Sequence, residues 1–176
     1  MSVRLSLLAL LDQGECYGYQ LRTELDWRTG GGGPINVGQI YNTLDRLERD
    51  KLVRKTGENN YYGITDAGRT AVAVWFGSAS PSADFPAKIA LASTLPGVDA
   101  RAIIRAQRVT VTAAGHANPR TAAELAAALV ATAASISAKA QLDLLDAAEQ
   151  MLSLGIAPTP LSADIPKRGR PARVAN

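Results

Sequence analysis

Side chains that suit the edges of DNA bases repeat along one side of a predicted helix near residue 40. The opposite side of that helix is an apolar stripe from Val37 to Leu47, spaced in steps of three and four residues. Glutamine and asparagine can form two hydrogen bonds with adenine, and arginine can do the same with guanine. The polar side therefore indicates base recognition in DNA, and its candidate residues are Gln39, Asn42, Thr43, Arg46 and Arg49.

The same face also has an ordinary interpretation, because many helices expose polar residues to solvent alone. Asp45, Glu48 and Asp50 lie among the candidate residues and dilute their positive charge. Acidic side chains repel phosphates, so the spacing alone leaves DNA binding and a solvent-facing helix equally open.

A second basic group lies near the end of the chain, where Arg168-Gly169-Arg170-Pro171 resembles the core of an AT-hook. Glycine lets the backbone lie on the floor of a narrow minor groove, and the flanking arginines reach along the negative potential of A·T-rich DNA. A plain basic tail that only attracts phosphates explains the segment as well. The candidate contacts are Lys167, Arg168, Gly169 and Arg170.

The net charge of the chain is +3, from 19 basic and 16 acidic residues, and its distribution is uneven. Basic and acidic residues balance over 1–76 and again over 77–160. The whole surplus lies in residues 161–176. A DNA-binding body without surplus charge must rely on a few well-placed groups, while the tail would supply general attraction to phosphates.

The numbers of cysteine and histidine residues exclude several classes of protein. One cysteine cannot form an intramolecular disulfide, and one cysteine with one histidine cannot form a Cys/His zinc site. No cluster of catalytic residues is present, so we predict neither an enzyme nor a cofactor. Cys16 stands where a helix start could lower its pKa, although an unreactive structural cysteine is the ordinary interpretation.

No membrane span is predicted, because no run of about 18 apolar residues occurs in the sequence. The apolar N-terminus is followed at once by Asp12 and Glu15 and has no convincing cleavage site. We therefore interpret it as a first helix and not as a signal peptide. Together with the DNA-binding interpretation, these observations predict a cytoplasmic, nucleoid-associated protein.

The elements that must position the candidate residues follow in a definite order over the first 76 residues. Helical spacing predicts helices over 3–11 and 17–28, and a third helix after the N-cap Asn36. Two short strands, 52–56 and 61–65, flank a turn, and a fourth helix begins after them. Three helices followed by a two-stranded hairpin are the order of a winged helix-turn-helix, in which the later helix enters the major groove.

Residues 77–155 are rich in alanine and nearly free of aromatic side chains, which indicates closely packed helices. The longest, over 121–154, has an apolar face and would span about 50 Å at 1.5 Å per residue. A face of that length on a small chain needs a partner, so we predict an all-α homodimerisation domain. Residues 156–176 are Pro-rich and polar, and we predict a disordered basic tail there. The predicted fold class is therefore mainly α.

Four short segments of the first part form a recognisable combination. They are Tyr17-Gly18-Tyr19-Gln20-Leu21, the run from Gly38 to Glu48, Leu52-Val53, and the run from Tyr62 to Arg69. In combination they resemble the PadR family of transcriptional regulators. The resemblance covers about residues 3–76, and it implies a dimeric winged-helix repressor that reads a pseudo-palindromic operator in double-stranded DNA.

The resemblance also implies roles for individual residues. Tyr41 and Asn42 lie where the family meets DNA, and Tyr19 lies near the phosphates. The wing, with Lys55 and Asn59, would touch the DNA backbone or the minor groove.

Two further points follow from the family pattern. The family usually has glycine after its recognition helix, where this chain has Lys51. Some members hold flat aromatic ligands against a tryptophan between subunits, so Trp75 is the candidate contact for a small aromatic effector. A function of another class stays open from the neutral charge of the first part: a winged-helix protein-interaction module whose long helix docks a partner.

Overall fold

Apolar side chains at helical spacing fold most of the chain into α-helices, and three short strands form one small sheet. The structure, a computed structural model, describes residues 2–31, 35–56, 60–80, 84–111 and 121–162. The prediction of a mainly helical winged fold with a long helix near the C-terminus is confirmed. In chain order the elements are α1 (Val3–Leu11), β1 (Cys16–Tyr17), α2 (Gly18–Arg28), α3 (Val37–Arg49), β2 (Val53–Thr56), β3 (Tyr61–Ile64), α4 (Asp66–Gly77), α5 (Phe85–Thr94), α6 (Ala100–Thr110) and α7 (Ala122–Leu152).

The predicted two-stranded wing is present as the β2–β3 hairpin, and β1, a strand that was not predicted, extends the sheet to three strands. The strand order is β1-β3-β2, and both pairings are antiparallel. Cys16 pairs with Tyr62 on one edge of β3, and Val53 pairs with Ile64 on the other. Strand β1 is only two residues long, too short for an alternating pattern to appear in the sequence. Its pairing ties the start of α2 to the wing.

Local hydrogen bonds fix both ends of α3. The Asn36 side chain accepts a hydrogen bond from the Gly38 amide at 2.8 Å, which confirms the predicted N-cap. At the other end the Leu52 amide donates to the Leu47 carbonyl at 2.9 Å, the six-to-one bond of a Schellman motif. Lys51 lies at φ 59°, the left-handed conformation that this motif needs, which is why glycine suits the position.

The first hydrophobic core joins α1, α2, α3 and the sheet. It includes Leu8 and Leu21, and Leu91 of α5 belongs to the same cluster. Helix α5 therefore packs against the winged helix. Gly68, in the first turn of α4, lies so close to the Leu52 carbonyl that a Cβ would overlap it. The glycine thus lets α4 approach the start of β2.

A second core joins α5, α6 and the C-terminal half of α7. Ile104 and Leu145 are fully buried in it. At its edge the Arg108 guanidinium donates to the carboxylates of Asp146 at 2.7 Å and Glu149 at 3.0 Å. Apolar packing and these ion pairs fix the later part of α7 on α6.

The first half of α7 carries large apolar side chains in solvent: Leu125, Leu129, Val130 and Ile136 are half exposed or more. By length and composition alone, α7 is also apolar enough to cross a membrane, with a mean hydropathy of 1.4 over its most apolar window, of which 11% is buried. The search for an uninterrupted apolar run did not select this segment, because scattered threonine and serine interrupt an alanine-rich helix without making it polar. A single helix of this kind is weak support for a membrane protein, since helices of water-soluble proteins pass the same test.

Residues 156–162, here called the strap, lie against the winged helix, so the prediction of disorder throughout the segment after α7 is wrong. The Arg28 guanidinium donates to the carbonyls of Thr159 and Pro160 at 2.9 and 3.1 Å. The Thr159 amide donates to the Thr94 carbonyl at 3.0 Å. These bonds join the strap to α2 and to the end of α5.

We expect Lys51→Gly to raise the free energy of unfolding by about 0.5–1 kcal/mol. Glycine adopts a positive φ without the steric cost of a Cβ, although it also loses more conformational freedom on folding. Urea unfolding followed by circular dichroism measures the change. The matched control is Lys139→Gly inside α7, which should lose about 1 kcal/mol because glycine is a poor helix former. A loss of stability in Lys51→Gly would contradict the expectation.

Candidate nucleic-acid interface

The outer face of α3 presents the predicted base-reading residues to solvent. Gln39, Asn42 and Arg46 are exposed, whereas Ile40 and Leu44 on the inner face are buried. The three polar residues follow each other at steps of three and four, so they form one ridge along the helix. The ridge exposes amide and guanidinium groups to solvent.

Thr43 differs from its neighbours because its hydroxyl is already bonded within the helix. The hydroxyl donates to the Gln39 carbonyl at 2.7 Å, and the residue is half-buried. A threonine hydroxyl has one donor hydrogen, which this bond uses. Thr43 can therefore offer a base only its methyl group and an oxygen lone pair.

Tyr41 sets the approach of α3 to the start of α2. Its ring lies over Gly18, where a Cβ would come within 2.7 Å of the ring. The glycine is therefore a packing requirement at this crossing. Tyr41 is half-buried, so packing occupies part of the side chain that the resemblance assigns to DNA.

Tyr19 lies on α2 beside an arginine that also contacts the segment before α3. The Arg22 guanidinium carbon is 5.9 Å from the centroid of the Tyr19 ring. Its Nε donates to the Ile35 carbonyl at 2.9 Å, just before α3 begins. Arg22 thus connects the residue predicted near the phosphates to the segment just before α3.

Two further tyrosines lie at this end of α2, and the sequence analysis did not select them. The rings of Tyr17 and Tyr61 meet edge to face with centroids 5.7 Å apart. Burial and the neighbouring tyrosine hydroxyls, including those of Tyr19 and Tyr41, raise the pKa of Tyr17. The signal was present, because all five tyrosines lie in the first 62 residues. The tyrosines form a cluster that joins the wing to α2 and α3.

Ion pairs engage two of the acidic residues in and after α3. The Glu48 carboxylate lies 2.8 Å from the Lys55 ammonium of β2, and the Asp50 carboxylate lies 2.8 Å from the Arg4 guanidinium of α1. The hydrogen bond from Lys55 to Glu48 is the main cause that raises the pKa of Lys55. Lys55, the predicted wing cation, is thus paired with Glu48, an acidic residue of α3. Glu48 competes with any phosphate for Lys55, and the spacing of the residues did not reveal this pair.

Two arginines supply the positive charge of the outer face. Within the described ranges, neither Arg46 nor Arg49 forms an ion pair with another residue. A guanidinium presents a planar fork of donors that suits phosphate or guanine. Among the described residues, Glu48 and Asp50 form ion pairs, whereas Arg46, Arg49 and the acidic Asp45 form none, so the charge balance of the first 76 residues conceals local differences.

Some predicted contacts lie outside the described residues. Asn59 at the wing tip is one of them, and the tail residues Lys167, Arg168, Gly169 and Arg170 are the others. Among the residues that are described, no cluster of side chains could hold a metal ion.

Trp75 packs inside the helical part of the chain. Its ring stacks on Phe76 with centroids 4.9 Å apart, and the Lys88 ammonium lies 5.6 Å from its centroid. Loss of hydration lowers the pKa of Lys88 to about 8. A cavity of about 310 Å³ lies elsewhere, between α5 and α7, and includes Ile89 and Met151 in its lining. The structure does not bring Trp75 into that cavity.

Cys16 is fully buried in β1. Burial is the main cause that raises the pKa of its thiol to about 12. Because the thiolate is the reactive form, Cys16 is unreactive in the folded protein, in agreement with the ordinary interpretation.

Comparison with known proteins finds a family match for the first part of the chain. The sequence profile of the transcriptional regulator PadR-like family matches residues 7–74. Residues 7–74 form a PadR-like domain. The resemblance drawn from the four segments is confirmed over these residues.

Matches to solved structures cover more of the chain than the PadR-like domain, at low sequence identity. PadR of Bacillus subtilis in complex with operator DNA is 20% identical with a TM-score of 0.38, and its complex with p-coumaric acid is 18% identical with a TM-score of 0.42; each match covers 88% of this chain and 98% of that chain. The virulence activator AphA of Vibrio cholerae is 23% identical with a TM-score of 0.40, over 88% of this chain and all of its own. No curated protein sequence matches the chain significantly.

We expect Glu48→Gln to strengthen binding of the full-length chain to duplex DNA and to steepen its salt dependence. The substitution removes the acid that holds Lys55, so the ammonium becomes free for one phosphate. One added phosphate contact changes the slope of log K against log salt by about −0.9. Fluorescence anisotropy of a labelled duplex at several salt concentrations measures that slope.

The matched control is Asp143→Asn, which breaks the Lys139–Asp143 ion pair on α7 with the same change in charge. Equal slopes in the two variants would mean that Lys55 does not reach DNA.

Proposed function

We propose that the chain is a homodimeric repressor that reads a pseudo-palindromic operator with the α3 helix of each protomer. The observation that carries the proposal is the exposed ridge of Gln39, Asn42 and Arg46 on a helix fixed at both ends. A rigid helix with free amide and guanidinium groups suits major-groove readout, in which such groups form paired bonds with bases. Two copies would read half-sites about one helical turn apart.

Arg46→Ala and Asn42→Ala should each weaken operator binding by about 1–3 kcal/mol, the value of a good bidentate base contact. The operator is first selected from random duplexes with the full-length chain, and affinity is then measured by gel shift. Arg101→Ala on α6 is the control, because it removes an exposed arginine far from α3 in the chain. Wild-type affinity in both α3 variants would refute the recognition helix. A reporter driven by the selected operator separates repression from activation.

The partner that we propose for the first half of α7 is a second copy of the same helix. Leu125, Leu129 and Ile136 follow at steps of four and seven residues, the spacing of a helix-pairing seam. All three are at least half exposed, and Ile136 is 66% exposed. The 31 residues of α7 give a helix of about 46 Å, long enough for an extended apolar contact. A water-soluble dimer would bury the face that a membrane would otherwise take up.

Ile136→Glu should convert the dimer to a monomer, because it introduces a charge into the apolar contact. Light scattering coupled to gel filtration measures the mass. Ala134→Glu is the control, since residue 134 lies on the opposite side of the helix and is exposed. A monomeric wild type, or wild type recovered only in the membrane fraction, would refute the proposed dimer.

Three finer assignments accompany this proposal. The tail residues Lys167 to Arg170 contact an A·T-rich minor groove, and attraction to phosphates alone is the alternative. The protein is cytoplasmic and nucleoid-associated through DNA. Trp75 is the proposed contact of a small aromatic effector, since its stacked ring beside the Lys88 ammonium joins an aromatic surface to a cation. A protein-interaction module remains the second candidate, and failure to retain any duplex DNA would favour it.

A further inference from the structure

The strap ties the C-terminal end of α7 to the C-terminal end of α2. Helix α7 ends at Leu152, and residues 153–158 lead to Thr159, whose carbonyl accepts a hydrogen bond from the Arg28 guanidinium at 2.9 Å. The same guanidinium donates to the carbonyl of Thr94, the last residue of α5, at 2.7 Å. One buried side chain of α2 therefore holds both the end of α5 and the segment that follows α7.

Two further side chains of α2 hold the last described residues of the strap. The Ser162 amide donates to the Glu24 carboxylate at 2.8 Å, and the Gln20 side-chain amide donates to the Ser162 carbonyl at 3.1 Å. Leu161 packs against the first core. Gln20, Glu24 and Arg28 are buried and spaced by four residues, so they form one row on α2. The strap therefore runs along this row, antiparallel to α2.

Apolar packing leaves a cleft where α2, α5, α7 and the strap meet. The cleft has a volume of about 260 Å³, and its lining includes Trp27 of α2, Leu152 of α7 and Thr159 of the strap. Side chains that border a void lack the van der Waals contacts that packed neighbours would supply. The hydrogen bonds of the strap, together with the packing of α5, therefore set the position of α7 relative to α2.

This position matters because the two helices have different tasks in the proposed dimer. The first half of α7 pairs with a second copy, whereas α2 positions α3 through the contact of Gly18 with Tyr41. Helix α7 contains 31 residues. At that length of about 46 Å, a rotation of about 5° moves the far end by about 4 Å. One base pair of DNA rises by only about 3.4 Å. A few degrees of rotation between α7 and α2 would therefore shift one recognition helix by a whole base pair.

We propose that the strap and the row on α2 determine which distance between two half-sites the dimer accepts. The feature of DNA that they select is the number of base pairs between the half-sites, and not the sequence of either one. Gln20, Glu24 and Arg28 are buried, so they act through α3 as positioning residues. The inference rests on the proposed function, because it requires a dimer that binds two half-sites.

A strap that only stabilised the fold would give a different pattern of affinities. Its loss would weaken binding to every spacing, and to a single half-site, by the same factor. A strap that fixes α7 on α2 acts on spacing alone, because each α3 keeps its own contacts with bases. A rigid dimer binds a wrongly spaced pair of half-sites only by twisting or bending the DNA, which costs about tenfold or more in affinity.

The test measures affinity for duplexes that differ only in the number of base pairs between the half-sites. The half-sites come from duplexes selected by the full-length chain, and a duplex with a single half-site reports on α3 alone. The strap-release variant is Gln20→Ala with Leu161→Ala, which removes one hydrogen bond and one apolar contact but keeps the buried ion pair of α2. The matched control is Gln150→Ala with Leu154→Ala, which removes the same two types of side chain from exposed positions.

A second variant changes the length of the link and none of its contacts. Two glycines inserted between Gly155 and Ile156, both exposed, lengthen the connection by up to about 7 Å. Every hydrogen bond of the strap can still form in this variant. Its thermal stability should therefore equal that of the wild type, and it separates the spacing role from stabilisation of the fold even where strap release lowers stability.

We expect the wild type to prefer one spacing over spacings one base pair shorter or longer by about tenfold or more, and both variants to reduce this preference to about threefold or less. Affinity for the single half-site should stay unchanged, and the control should match the wild type. Light scattering checks that each protein is dimeric, and circular dichroism melting checks that it is folded.

Two results would overturn the proposal. One is an unchanged spacing preference in the folded insertion variant, and the other is a wild-type dimer that binds all spacings equally. A uniform loss of affinity after strap release, with the single half-site included, would reduce the strap to a support of the fold and would also overturn it. A wild type that binds no pair of half-sites more tightly than one half-site would instead refute the proposed function.

Discussion

The buried ion pair between Arg28 and Glu24 holds together three parts of the chain that are far apart in sequence. Arg28 is 3% exposed, and its Nε lies 2.9 Å from the Glu24 carboxylate. Removing two charges from water costs several kcal/mol for each, so such a pair is tolerated only when further hydrogen bonds satisfy it. Here the other guanidinium nitrogens donate to carbonyls of Thr94 in α5 and of Thr159 and Pro160 in the strap.

The backbone carbonyls that accept hydrogen bonds from Arg28 themselves need a donor. Thr94 is the last residue of α5, where helix carbonyls have no partner within the helix and the helix dipole is negative. A cation at this point satisfies the end of α5 and α2 together. The contact of Gly18 with Tyr41 then fixes the position of α3 relative to α2. The orientation of α3 therefore depends on a charge cluster that contains no predicted DNA-binding residue.

Local signals were sufficient to predict the elements that carry the site, because their causes lie within a few residues. The apolar steps of α3 and the Asn36 cap predict that helix, and the departure at Lys51 marks the left-handed residue that ends it. Strand β1 was missed because two residues form no pattern. The strap was missed because its order depends on Arg28, more than 130 positions away. Hydrophobic periodicity describes a segment by itself, whereas these contacts are made by distant partners.

The charge distribution indicates that recognition of a DNA sequence and general affinity for DNA can come from different parts of the chain. In the PadR-like domain the pairs of Glu48 with Lys55 and of Asp50 with Arg4 neutralise charges beside α3, while Arg46 and Arg49 form no ion pair among the described residues. A surface with few free cations attracts any duplex only weakly, so its binding energy must come mainly from correct base contacts. The proposed contacts of the basic tail would add attraction to phosphates that depends little on exact sequence.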